Sequence, residues 1–312
     1  MNILVTGGAG FIGSHIADAC VDGGHRVIIV DNLSTGKIEN VNPRAIFHNV
    51  DIRAKEMEKI FTGEKIEVVI HHAAQMDVRK SVDDPSFDSS VNILGSINLL
   101  EFSRKTGVRK FIFASTGGAI YGDQEYFPAD EAHPLRPVSP YGISKLAVEK
   151  YLYYYHRQYG VQYIALRYAN VYGPRQNPLG EAGVVAIFSG KILAGERPVI
   201  NGDGKQTRDY VFVEDVVRAN TLAIRYPGTD TFNVGTGYET TVNEIFESLR
   251  KAAGSHVEPV YGPAKPGEQL RSVLSHDHIR RVCDWRPEVS IQEGLQRTVE
   301  YFRQHRTGQG SR

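Results

Sequence analysis

Tyr141 and Lys145 carry the clearest chemical potential in the chain. They stand four apart in Ser139-Pro140-Tyr141-Gly142-Ile143-Ser144-Lys145, so on a helix both side chains leave one face. Ser139 suits the N-cap, and Pro140 suits the first helical position, where a missing N–H has no consequence. A phenol beside an ammonium ionises more readily, because the positive charge favours the phenolate. Such a base, working near neutral pH, is what proton removal from an alcohol calls for. Tyr-x-x-x-Lys also occurs on many helices by chance, so the pair needs support from the rest of the chain.

That support begins at Thr6-Gly7-Gly8-Ala9-Gly10-Phe11-Ile12-Gly13. Residues 3–6 read as a strand, residues 12–22 as a helix stopped by Gly23-Gly24, and residues 27–30 as a second strand. A backbone free of Cβ atoms lets a pyrophosphate lie against the N–H groups of the helix start. Gly7, Gly10, Phe11, Ile12 and Gly13 are therefore candidates for dinucleotide binding. Asp31 ends the second strand, where a carboxylate accepts from the adenosine ribose hydroxyls and repels a 2′-phosphate, so NAD is expected over NADP. Asn32 follows it as a further cofactor candidate. Glycine also collects in turns for steric reasons; the placement between strand and helix, with an acid after the next strand, carries the reading.

The elements that position these groups alternate along the chain. Residues 45–47 read as a third strand, closed by Asp51 and Ile52 at the adenine edge. Residues 68–71 read as a fourth, leading into His72 and then Ala73, Ala74 and Gln75, where small side chains let a cofactor lie flat. The histidines read as packing residues. Asp84-Pro85 opens a helix to about residue 106 that carries Asn92 and stops at Gly107. Residues 111–114 and 163–168 read as the fifth and sixth strands. Such alternation means an α/β fold with a doubly wound parallel sheet of Rossmann type, whose ligands bind at the carboxyl ends of the strands.

After Tyr168 the alternation fades. Helices are expected near 182–194, 213–225, 241–253 and 291–303, the last two behind the capping boxes Thr241-x-x-Glu244 and Ser290-x-x-Glu293. Short strands are expected at 198–200, 209–211 and 232–234. Residues 1–168 thus read as a dinucleotide-binding domain. Residues 169–306 read mainly as a smaller mixed α/β substrate-binding domain, with some segments returning to the sheet, and 307–312 as a frayed tail.

Lys plus Arg and Asp plus Glu balance at 36 each, leaving no net charge and no electrostatic footprint for nucleic acid or an anionic membrane. Cys20 and Cys283 lie in unrelated segments without metal-ligand spacing, so reduced thiols and no metal are expected. No apolar run is long enough for a bilayer, and Met1-Asn2-Ile3-Leu4-Val5 lacks a basic leader region. A cytoplasmic location is expected.

Together the glycine turn and the Tyr141/Lys145 pair resemble the extended short-chain dehydrogenase/reductase family, in which Gly-x-x-Gly-x-x-Gly is the typical spacing. The second half is similar to that of its nucleotide-sugar 4-epimerases. The matching stretches are Leu166-Arg167-Tyr168-Ala169-Asn170-Val171-Tyr172-Gly173-Pro174-Arg175, Gly202-Asp203-Gly204, Thr207-Arg208-Asp209-Tyr210-Val211, Asn233-Val234-Gly235 and Pro266-Gly267-Glu268. The resemblance implies that Asn92, Ser115 and Tyr168 join Tyr141 and Lys145 around NAD. It also implies that Asn170, Arg208 and Arg271 meet the diphosphate of a UDP-sugar, with Val184 and Ser272 beside the ligand and Glu268 on the uridine ribose.

The implied reaction is reversible inversion at C4 of UDP-glucose and UDP-galactose through a 4-keto sugar, in a homodimer built from the Asn92 and Tyr141 helices. Tyr151-Leu152-Tyr153-Tyr154-Tyr155 would add apolar area to that interface. In the family a Ser or Thr usually stands where this chain has Gly117. Thr116 reaching through the Gly117-Gly118 turn is the favoured substitute; a water or the substrate itself are the alternatives. Small Ser272, where the family often has Tyr, leaves room for a 2-acetamido group. A UDP-glucuronate 4-epimerase, or another UDP-sugar-modifying member of the extended family such as a UDP-glucuronate decarboxylase, is the alternative activity, and an inactive NAD-sensing scaffold a remote one. A 4,6-dehydratase fits poorly, because Gly118-Ala119 supplies no carboxylates.

Overall fold

A computed structural model describes residues 1–178, 183–264 and 269–306 of the chain. Its first half runs β1 (Asn2–Thr6), α1 (Phe11–Asp22), β2 (Arg26–Asp31), β3 (Ile46–Asn49), α2 (Met57–Glu64), β4 (Val68–His71), α3 (Val78–Asp83) and α4 (Pro85–Ser89). It continues through α5 (Gly95–Thr106), β5 (Lys110–Thr116), α6 (Gly117–Ile120), α7 (Pro140–Tyr159) and β6 (Gln162–Tyr168). The second half begins with β7 (Asn170–Tyr172), α8 (Val184–Ala194), β8 (Val199–Asn201), β9 (Thr207–Arg208), β10 (Tyr210–Phe212) and α9 (Val213–Arg225). Then come β11 (Asp230–Val234), β12 (Thr240–Thr241), α10 (Val242–Ala253), β13 (Val260–Gly262), α11 (Asp277–Cys283) and α12 (Ile291–Arg306).

Seven of these strands form one parallel sheet in the order β11-β6-β5-β4-β1-β2-β3. The winding reverses between β1 and β4, so the ligand crevice of such a sheet opens beyond Thr6 and His71. Side chains alternate across it with period two. Leu4, Val30, Val69, Phe111 and Phe113 pack in one cluster with residues of α2, α5 and α7. Val5, Ile29, Ile70, Ile112 and Leu166 pack in another with α1 and α9. A third cluster, including Phe188, Ile192, Phe212, Ile245, Phe246 and Leu295, joins α8, α10 and α12.

Several expectations need correction. The helix expected from Asp84 to about residue 106 is capped as foreseen, with Asp84 accepting from the Phe87 N–H and Gly107 in the left-handed conformation at φ 75°. It is interrupted, however, by a π turn over Ser90–Leu94. That turn aims Asn92 inward, where its side chain donates to the Gln75 carbonyl (2.8 Å) and to Asp88 (2.9 Å) and accepts from the Gln75 N–H (2.9 Å). The strand expected at 232–234 begins at Asp230 and is the edge of the main sheet, paired with β6.

The strand expected at 209–211 forms one residue later as β10, and Asp209, whose carboxylate is buried and occupied elsewhere, separates it from β9. Helices α2, α3 and α11 and strand β13 had no clear local signal. Thr241 and Glu244 do form the capping box. For the second box, the Glu293 N–H donates to Ser290 Oγ at 3.2 Å. The helix expected from residue 182 starts at Val184; residues 179–182 and the tail expectation for 307–312 lie outside the described residues.

Candidate active site

The glycine turn closes because backbone replaces side chain at each point of contact. Gly7 has φ 70°, and its N–H donates to the Val30 carbonyl at 2.8 Å. A Cβ on Gly7 would lie 2.6 Å from Ala73 N, and one on Gly13 would overlap the Gly7 carbonyl. Gly10 stands at the N-cap of α1 and offers no side chain to the first turn, whose N–H groups have no intrahelical acceptors. Phe11, Ile12 and Gly13 thus begin the helix at the switch point of the sheet with the uncapped N–H groups that an anion requires.

Asp31 is buried at the end of β2. It accepts from the Ala9 N–H (3.0 Å) and the Leu33 N–H (2.8 Å), which fixes its carboxylate beside the turn. Asn32 donates to Asp51 at 3.0 Å. The guanidinium of Arg53 grips Asp51 through both oxygens (2.8 Å each) and holds its carboxyl down at about 2. Asp51 is thus tied to Arg53, while Ile52 is buried against Gly95. Along the opposite wall, the Ala73 N–H donates to Thr6 Oγ1 (3.3 Å). Ala74 follows, and Gln75 is locked to Asn92 and Asp88. The cradle, the acid at the strand end and the helix N-terminus fit an NAD molecule.

Tyr141 and Lys145 sit in the first turns of α7, behind a Ser139 cap that accepts from the Gly142 N–H and with Pro140 at the first position. The Tyr141 N–H donates to Ser81 Oγ at 3.2 Å, so α3 seats the helix start. Lys145 is buried; its ammonium donates to the Ala114 carbonyl at 2.8 Å and lies 5.7 Å from the Tyr141 ring centre. Desolvation pulls its pKa down to about 8, opposed by the negative charge of Asp88. His71 and His72 face the same ammonium. Burial and the Lys145 charge keep both neutral, His71 well below its ordinary value and His72 at about 3. His71 bridges Thr6 and Ser96, as a packing residue does. His72 meets the Tyr168 hydroxyl at 3.1 Å, which also accepts from Asn220 at 2.8 Å.

Thr116 caps α6. Its Oγ1 accepts from the Ala119 N–H at 3.2 Å, which leaves its own O–H free to donate. The absence of a hydroxyl at residue 117 has a packing cause: a Cβ there would overlap the Leu274 side chain. At Gly118, by contrast, the nearest atoms to an added Cβ are Asn170 Oδ1 and Thr116 Oγ1, both 3.9 Å away. Asn170 and Thr116 therefore border one space. Ser115, expected at the cofactor, is buried and donates its Oγ to Glu149 at 2.6 Å. This engages its side chain beneath the strand end.

Arg208 donates to the Thr207 carbonyl at 2.7 Å. The neighbouring Asp209 carboxylate is no surface partner for it: that group is buried and accepts from the Thr236 N–H and hydroxyl, the Gly237 N–H and the Leu274 N–H. Arg271 is gripped by Glu239 (3.0 and 2.7 Å) and lies 3.8 Å over the Phe127 ring, so an arriving phosphate would compete with an internal carboxylate. Ser272 is buried, its carbonyl accepting from the Asp209 N–H. Val184 begins α8. Glu268 lies outside the described residues.

Two clusters escaped the sequence reading. One is Asp88, buried and bonded to Gln75, Asn92 and Ser144. The other is the buried pair Glu149–Arg167. Among the described residues no group of His, Cys, Asp or Glu could hold a metal ion, and no helix is long and apolar enough to cross a membrane.

Comparison with known proteins matches residues 3–235 to the NAD dependent epimerase/dehydratase family. A crystal structure of UDP-glucose 4-epimerase from Thermotoga maritima, solved with UDP-glucose, is 53% identical with a TM-score of 0.96, over 98% of this chain and 99% of that one. The UDP-glucose 4-epimerase of Thermus thermophilus, in complex with NAD, is 47% identical with a TM-score of 0.92, over 97% and 99%. The UDP-glucose 4-epimerase of Mycolicibacterium smegmatis is 44% identical over 97% of this chain and 99% of its own.

The Leu274 contact predicts an asymmetry between neighbouring glycines. Gly117→Ser is expected to lower stability by roughly 1–3 kcal/mol through overpacking, while Gly118→Ser stays within about 0.5 kcal/mol. Urea unfolding of the two variants checks this; equal losses would remove the packing explanation.

Proposed function

The chain belongs to the NAD dependent epimerase/dehydratase family, and from that premise we propose that it is an isomerase inverting C4 of a UDP-hexose, interconverting UDP-glucose and UDP-galactose. The observation that carries the reading is the desolvated Lys145 ammonium beside Tyr141 at the carboxyl ends of the strands. Residues 1–168 form its NAD-binding part and residues 169–306 mainly its sugar-nucleotide part.

Gly10 to Gly13 would hold the pyrophosphate and Asp31 the adenosine ribose. When bound, NAD supplies the acceptor and donor of the C4 hydride. Tyr141, as phenolate, takes the proton of the 4-hydroxyl and later returns it. The Lys145 charge favours that phenolate and would hold the nicotinamide ribose when NAD is bound. Thr116 donates to the reacting oxygen. Between the two transfers the 4-keto sugar turns about its link to the diphosphate. That requires a firm grip on UDP by Asn170, Arg208 and Arg271 and a loose one on the hexose.

The short Ser272 side chain, in the segment that carries Arg271, favours a second reading in which UDP-N-acetylhexosamines are also turned over. The apolar surface favours a homodimer: Leu94 on the π turn and Tyr151, Tyr153 and Tyr154 on α7 are exposed. Leu152 and Tyr155, counted with them from sequence, instead belong to the core, and Tyr155 donates to Glu101 at 2.6 Å.

Three outcomes are expected. Purified protein given UDP-galactose without added NAD yields UDP-glucose, with parallel assays on UDP-N-acetylgalactosamine and UDP-glucuronate. Tyr141→Phe lowers kcat by at least about a hundredfold, and unchanged turnover in that variant would end the proposal. A second outcome concerns pH. Lys145 is protonated below its depressed pKa of about 8, so kcat falls as pH rises through that value; a plateau extending past about pH 10, where ordinary lysine titrates, would contradict it. Thirdly, sedimentation at micromolar concentration gives a dimer, and a monomer there would remove the α4–α5 and α7 interface.

A further inference from the structure

The buried pair Glu149–Arg167 joins every element that presents a reacting group. Glu149 follows Lys145 by four residues on α7, so it occupies the same helix face one turn on. Arg167 stands directly before Tyr168 in β6, and strand register pairs it with Ser115, as Tyr168 pairs with Thr116. Glu149 Oε1 accepts from Ser115 Oγ (2.6 Å) and Arg167 Nε (3.0 Å), and Oε2 accepts from Arg167 Nη2 (2.7 Å). Arg167 Nη1 donates to the Tyr121 hydroxyl at 2.9 Å, and that hydroxyl donates to Asn233 in β11 at 2.6 Å. Water hardly reaches either charged side chain: Arg167 is 5% exposed and Glu149 8%.

A buried ion pair is a poor source of stability, because desolvation offsets its attraction and apolar residues of similar volume often do as well. Its fixed bidentate geometry is a different property, since a planar fork on a carboxylate admits little rotation. We propose that Glu149 and Arg167 are positioning residues, holding the Tyr141–Lys145 helix in register with the Ser115–Thr116 strand end so that phenol, ammonium and hydroxyl keep one mutual geometry. The inference rests on the reading of Tyr141, Lys145 and Thr116 as reacting groups. It assigns the pair no contact with substrate or cofactor. Loosening it would therefore leave sugar-nucleotide binding intact and slow the transfers themselves, where a displacement of about 1 Å costs on the order of a hundredfold.

The test uses the full chain with its bound NAD in two variants. Glu149→Met/Arg167→Met replaces the pair by apolar volume, and Ser115→Ala severs only the link from strand to carboxylate. The double variant is expected to melt near the wild type, with kcat roughly a hundredfold down and KM for UDP-galactose nearly unchanged. Ser115→Ala should keep its NAD content and melting temperature while kcat falls about tenfold. A stable double variant with wild-type kcat overturns the proposal. Should the double variant not fold, wild-type kcat in Ser115→Ala, or loss of NAD from it, does the same. Tyr141→Phe, measured alongside, separates the outcomes: if it still turns over, the functional reading itself has failed.

Discussion

Keeping an ammonium dry beneath the ends of parallel strands is the constraint on which the rest of this structure depends. Lys145 gives up its water for the Ala114 carbonyl and the face of Phe113, 4.8 Å away. Taking such a charge from water costs several kcal/mol unless other groups compensate. The Asp88 carboxylate supplies part of the compensation, but it too is buried and needs donors. It receives them from Gln75, Asn92 and Ser144. Asn92 lies in the π turn four residues after Asp88, and Ser144 directly precedes Lys145 on α7. The buried charge, the π turn, Gln75 and the start of α7 thus meet in one network through Asp88.

What was legible in the sequence was what short segments determine alone. The glycine turn declares itself because no Cβ fits at Gly7 or Gly13, and the start of α7 because Ser139 and Pro140 are local signals. Asp31 could be placed because it ends an apolar strand. The groups that were missed share a different property: their partners lie far along the chain. Glu149 needs Ser115 and Arg167, and Asp88 needs Gln75 and Ser144, pairings that only the folded sheet brings together. The π turn was hidden because Asn92 reads like any polar residue on a helix. Arg167 was visible within a motif, yet nothing local told its buried bidentate role from a surface charge.

The second half shows the same division of labour. Asp209 stands between β9 and β10, and its carboxylate turns inward to gather N–H groups from Thr236, Gly237 and Leu274. Flanking residues are thereby sent the other way. Arg208 precedes this anchor and Ser272 bonds its backbone, so the proposed phosphate-binding segment hangs on a buried carboxylate that touches no ligand in this reading. Arg271 differs in being half-exposed and held by Glu239. A guanidinium with an exchangeable carboxylate suits a segment that must accept and release a diphosphate, whereas one sealed like Arg167 suits a fixed frame.

Leu274 connects these two systems and accounts for Gly117, where the chain departs from the hydroxyl of the resembled pattern. Its N–H is held by Asp209 at 3.2 Å, and its side chain fills the volume that a residue-117 side chain would need. A hydroxyl at that position and a leucine at 274 exclude each other. Losing the hydroxyl there does not leave the site without a donor, because the α6 turn directly after β5 engages the lone pair of Thr116 through the Ala119 N–H. That bond orients the threonine oxygen and leaves its proton available. The space above Gly118, bordered by Thr116 and Asn170, is where that proton can be given. The glycine pair then reflects packing on one side and access on the other, and in the proposed mechanism Thr116 supplies the hydroxyl by position rather than by motif.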